Sequence, residues 1–165
     1  MALTFDVAAP FLLFTVLNST QNLVLSLITA LTRVKTGVLF GTGEETGEAL
    51  AGGTSREASL QLLTRSRAHG NHTEMMTVHL FLLLGLTIAA AVEGPTVGIT
   101  KVALYSYGAI FFTLKTMHVH AHLQPDSYKA PNQPFRTIGY VGNWLLMVVM
   151  AGHLLLAWLK KENIF

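Results

Sequence analysis

Residues 60–93 read LQLLTRSRAHGNHTEMMTVHLFLLLGLTIAAAVE, and Gly94-Pro95 ends the run. The pattern is that of one helix, stopped by a Gly-Pro breaker. Its first third (LTRSRAHGNHTE) is polar, whereas the rest (MMTVHLFLLLGLTIAAAV) has one ionisable side chain, His79. Such a helix can cross roughly 30 Å of hydrocarbon and deliver its polar turns to one membrane face. The segment therefore predicts a membrane span with chemistry at one end.

Three further spans follow from working outward. The first runs over residues 8–33, contains the polar cluster Asn18-Ser-Thr-Gln-Asn22 and closes on Arg33. Polar groups at membrane depth are expected to face other helices, where they find hydrogen-bond partners. The next segment, 36–59, is rich in Gly, Thr and Glu and reads as an exposed loop. With the second span at 60–93, the third covers 97–122 and ends in LKTMHVHAH. Pro125, Pro131 and Pro134 make the following stretch an extended connector, and the fourth span covers 136–159. The expected fold is all-α: one integral membrane domain over residues 1–165, a four-helix bundle running up-down-up-down.

Composition agrees. Of the 165 residues 51% are hydrophobic and only 12% charged, with a mean hydropathy of +0.47. A soluble domain has about twice that charge. The net charge of +2 is too small and too scattered for a nucleic-acid surface, and no cysteine is present to form a disulfide or act as a nucleophile. Residues 1–8 carry Asp6 and no Lys or Arg, so the first span reads as retained rather than as a cleaved leader. Arg33, Lys35, Arg56, Arg65, Arg67, Lys129 and Arg136 fall on one side of the membrane, against Lys101, Lys160 and Lys161 on the other. The positive-inside rule assigns the first side to the cytoplasm.

The chemically capable residues collect on that same side. Arg67, Asn71 and Glu74 share one face of span two at i, i+4 and i+7. Either Arg67 and Glu74 form a structural ion pair, or they wait for a ligand. His118 and His122 share a face with Lys115 at the end of span three, and Arg136, Tyr140 and Asn143 share one at the start of span four. The histidine pair reads first as hydrogen-bonding; binding a metal or haem, with His69 or His72 assisting, is the alternative. In an up-down-up-down bundle these groups line one cationic pocket with a single acid. Such a pocket suits an anionic ligand that also carries an amine, since Arg forks take carboxylates and Glu74 takes an ammonium. A guanidinium would favour a ligand's thiolate, with a hydroxyl such as Thr137 donating to it, and the apolar walls would receive a lipophilic second substrate.

At these residues the chain resembles the MAPEG family, the membrane-associated proteins in eicosanoid and glutathione metabolism. The resemblance lies in Arg65-Ser-Arg-Ala-His-Gly-Asn-His-Thr-Glu74, similar to the family's RAHxNxxE signature, in Arg33 closing helix one, and in Arg136-Thr137 opening helix four. It implies a homotrimer of microsomal glutathione transferase type, with glutathione bound between subunits near the cytosolic face. Arg67, Asn71 and Glu74 would hold the glutathione backbone, with Arg33 assisting from an adjacent subunit. Arg136 and Thr137 would serve the thiolate, with Tyr140, His118 and His122 lining the site and no metal required. The implied reaction is conjugation or isomerisation of a lipophilic electrophile. The expected activity is that of a glutathione-dependent transferase or peroxidase acting on a hydrophobic small molecule dissolved among lipids, in a bacterial inner membrane or the endoplasmic reticulum. Met75 stands where eicosanoid-forming members have tyrosine, and histidines replace tyrosines late in helix three. The family also contains a non-enzymatic lipid-binding member, so a scaffolding role is the alternative.

Overall fold

The structure, a computed structural model, describes residues 5–38, 56–124, 127 and 133–164. Among these, four helices appear: α1 (Phe5–Thr36), α2 (Arg56–Glu93), α3 (Lys101–Leu123) and α4 (Pro134–Lys161), with a 3-10 turn at Gly94–Val97. The up-down-up-down, all-α bundle is as the sequence leads one to expect.

The helix limits differ from the expected spans, because hydropathy marks what lies in lipid and not where a helix stops. Beyond Arg33, α1 continues through Lys35 in its last turn and yields to Gly37 at φ 71°, a left-handed ending that glycine adopts without strain. The start of α2 is Arg56 rather than residue 60, with Glu57 in the first turn favoured by the helix dipole. Residues 97–100, assigned above to span three, are not α-helical. Thr100 caps α3 instead, its hydroxyl accepting the Ala103 N–H at 3.1 Å. Pro134 opens α4 two residues early, at a position where its missing N–H costs nothing.

Asp6–Thr36, Glu57–Glu93 and Pro134–Lys161 are long and apolar enough to cross a membrane. The 23-residue α3 is not among them, since it carries Lys115 with His118, His120 and His122, yet Lys115, His118 and His122 are all buried within the bundle. The outer surface is apolar: Leu23, Phe81 and Val102 are each at least 70% exposed. That surface would aggregate in water and is satisfied in lipid. The protein is a membrane protein.

Inside, Leu83, Leu86, Leu104, Phe111 and Met150 form the core, and Leu25, Ala68 and Val119 make a second cluster toward the polar end. Interhelical hydrogen bonds use the polar cluster of α1. The Thr73 hydroxyl donates to Asn22 Oδ1 at 2.9 Å, and His72 Nε2 donates to the Asn18 carbonyl at 3.1 Å. Tyr107 and His153 are hydrogen-bonded at 2.8 Å between α3 and α4. At the end opposite the polar cluster, the ion pairs Lys101–Asp6 and Lys161–Glu93 tie α3 to α1 and α4 to α2.

One close approach sets the geometry of the polar end. A Cβ on Gly139 would lie 2.5 Å from the Leu114 carbonyl oxygen and 2.8 Å from His118 Cβ. Only glycine lets α4 pass α3 at this distance.

Candidate functional site

Where α3 ends and α4 begins, seven side chains line a cavity of about 420 Å3: Arg67 and Asn71 from α2, His118 and His122 from α3, and Arg136, Thr137 and Tyr140 from α4. Among the described residues its lining holds two guanidiniums and no acid.

Hydrogen bonds hold the lining in place. His118 Nδ1 donates to the Arg136 carbonyl at 2.9 Å, fastening the end of α3 to the first turn of α4. That bond assigns the proton of a neutral ring to Nδ1 and leaves Nε2 as an acceptor, buried and with no partner among the described residues. His118 and His122 meet edge to face with ring centres 4.7 Å apart, and His118 lies 5.8 Å from the Tyr140 ring. The Ser127 hydroxyl donates to the His122 carbonyl at 2.8 Å, securing the helix end below it.

Glu74 lines an adjoining cavity of about 360 Å3, together with Met75, Val78, Leu82, Trp144 and Met147. Asn71 and Tyr140 belong to both cavities, so the polar space passes directly into an apolar one. Leu82 and Ala151 in turn carry the apolar wall on to a third cavity of about 660 Å3 between α2 and α4, which reaches the Glu93–Lys161 pair. Arg67 and Glu74 do not form the ion pair considered above. The ion pairs Lys101–Asp6 and Lys161–Glu93 lie at the other end of the bundle, and Arg67 and Glu74 line separate but adjoining spaces.

Arg33 is not brought to the cavity: it sits in the last turn of α1, and no residue of α1 lines the space. Asn143 is also absent from the lining, since its amide turns back to the Gly139 carbonyl at 2.7 Å. Of the histidines considered as metal ligands, His72 is engaged by Asn18, and no group of three or more His, Cys, Asp or Glu among the described residues could hold a metal ion.

Lys115 has a role that face-sharing with His118 did not disclose. It is fully buried, and its Nζ donates to the Asn71 carbonyl at 2.8 Å and to Met75 Sδ at 3.3 Å. The ammonium thus braces α2 beneath Asn71 from within the core. A lysine among the last turns of a helix buried in a membrane bundle was the available signal, because such a charge persists only where it is used.

A membrane bundle whose helices close a cationic, apolar-backed cavity at one end is the class of protein that fold and site define. The chain belongs to the MAPEG family, whose model matches residues 11–156. It is thus a membrane protein of the glutathione and eicosanoid metabolism type. No characterised protein and no solved structure matches it.

Proposed function

We propose that the protein is a glutathione-dependent membrane transferase or peroxidase that activates a thiol for attack on a lipophilic electrophile. The observation that carries the proposal is the junction at Asn71 and Tyr140, where a space lined by Arg67 and Arg136 opens into an apolar one. Glutathione bears two carboxylates, an ammonium and a thiol. Arg67 and Asn71 suit its carboxylate and peptide groups, and Glu74, just across the junction, suits the ammonium. Arg136 stabilises the thiolate, which a thiol with a reference pKa near 8.5 forms only in part at neutral pH. Thr137 donates a hydrogen bond to the same sulfur. His118, His122 and Tyr140 complete the wall, and the apolar space holds the electrophile beside the sulfur, so that proximity supplies much of the rate.

In transfer, the sulfur forms a bond to the electrophilic carbon, and that carbon's leaving group or epoxide oxygen departs with the electron pair. In peroxide reduction, two thiols give their electrons to the O–O bond, yielding a disulfide, an alcohol and water. Arg33 would reach the ligand from a neighbouring subunit of a homotrimer, and the site would face the cytoplasm.

Glutathione titration of the detergent-solubilised protein, followed by thiolate absorbance and by conjugation of a generic electrophile, tests this reading. Arg136→Ala is expected to abolish the thiolate signal and lower turnover about 100-fold, the usual cost of losing one charge-stabilising donor, with the oligomer intact. Full activity in that variant removes Arg136 from the mechanism. The apolar cavity of about 660 Å3 between α2 and α4, remote from the arginines, favours a second reading: a lipid-binding scaffold without catalysis. No binding at millimolar glutathione would select it.

A further inference from the structure

A second basic cavity lies at the same end of the bundle and shares no residue with the first. It has a volume of about 420 Å3 and is lined by Ile28, Leu31, Thr32 and Lys35 of α1, Arg65 of α2 and Leu123 of α3. Arg65 and Arg67 are two residues apart, so on a helix they project about 200° from each other. Arg67 thus enters the first cavity and Arg65 the second.

The chemistry of this space is specific. Among the described residues two cations line it and no acid does. One N–H of the Arg65 guanidinium is fixed by the Thr32 hydroxyl, and the Thr29 hydroxyl is 3.4 Å from the Arg65 carbonyl, so the side chain and its backbone are both anchored to α1. The other half of the lining is branched aliphatic. Beyond it the outer face of α1 continues as Leu27, Leu31 and Val34, each more than half exposed. Cations above an apolar helix face, at the level where that helix leaves the hydrocarbon, complement a molecule with a negative head and hydrocarbon tails.

We propose that this cleft is a binding site for one anionic phospholipid, its phosphate held by Lys35 and Arg65 and its acyl chains lying along the exposed face of α1. A free phosphate would use the cations but leave the aliphatic half of the cavity wet. A zwitterionic lipid would set its own ammonium against Lys35. The site is independent of the thiol reading of the first cavity.

Native mass spectrometry of the delipidated, full-length protein tests the proposal with three probes: phosphatidylglycerol, phosphatidylcholine with the same chains, and glycerol 3-phosphate. The expected result is one retained phosphatidylglycerol per chain, with no retention of the other two probes at equal concentration. Lys35→Gln should weaken retention about fivefold, and Lys35→Gln with Arg65→Gln about 30-fold, each near-surface charge contributing about 1 kcal/mol. Lys35 is exposed and forms no hydrogen bond or ion pair among the described residues, so its single variant does not threaten folding. Equal retention of the two lipids, or unchanged retention in the Lys35→Gln variant, overturns the proposal. Retention of glycerol phosphate as tight as that of the lipid overturns it in favour of a plain anion site. If Lys35→Gln dissociates an oligomer without releasing lipid, the cleft belongs to a second copy of the chain, and the proposal again fails.

Discussion

Gly139→Ala places one methyl group where α4 passes against the backbone of α3. The new Cβ would stand 2.5 Å from the Leu114 carbonyl oxygen, 2.8 Å from His118 Cβ and 2.9 Å from His118 N. These neighbours are backbone and near-backbone atoms, which cannot rotate away. Ordinary contact begins at 3.4 Å. The helices must therefore separate by about 0.9 Å at this point to restore it. Overpacking of this kind costs about 1–3 kcal/mol, and the better helix propensity of alanine returns about 1 kcal/mol. The net expectation is a destabilisation of about 0–2 kcal/mol. Function should suffer more than stability. Gly139 lies between Arg136 and Tyr140, and the 2.9 Å bond from His118 to the Arg136 carbonyl would be pulled out of range by the same separation. A displacement of about 1 Å in a positioned group can reduce rate about 100-fold. The assay is thermal unfolding in detergent alongside glutathione binding and turnover, with Gly152→Ala as the reference. A Cβ at Gly152, on the same helix, meets nothing within 4 Å. Equal behaviour of the two variants in all three measurements would refute the claim that the α3–α4 crossing positions the site.

Two other outcomes follow from the interior. Lys115→Met replaces a buried cation by an apolar chain of similar length, so the unfolding temperature should hold or rise, because buried charges exchanged for packed hydrophobes are often neutral or stabilising. Glutathione binding should nonetheless weaken about tenfold as the Asn71 carbonyl loses its charged donor, and unchanged affinity would show that the brace does not reach the site. Tyr107→Phe removes one hydrogen bond to His153, far from the polar cavity, and should lower stability by about 1 kcal/mol in chemical denaturation while leaving glutathione affinity unchanged.

The membrane bundle and the end at which its chemistry gathers were legible in the chain because both depend on local properties. The apolar run after Glu74 needs lipid whatever its neighbours are, and Gly94-Pro95 stops a helix unaided. Arg67, Asn71, His118, His122, Arg136, Thr137 and Tyr140 could be grouped because alternating helix direction places the start of one span beside the end of the preceding one. The exact helix ends were less legible. Capping by Thr100 and the turn at Gly37 are decided by backbone hydrogen bonding, to which hydropathy is blind.

Tertiary structure alone decided how these groups divide among spaces. Helical spacing put Arg67 and Glu74 on one face and left open whether they pair; the packing of α4 against that face opened two adjoining cavities and gave one residue to each. Lys115 shares a helix face with His118, yet it turns to brace the backbone of α2, since helix α3 meets α2 at one position and α4 at the other. Periodicity determines the direction in which a side chain leaves its own helix. What it meets there depends on how closely the next helix can approach, and at the polar end of this bundle that distance is set by the missing side chain of Gly139.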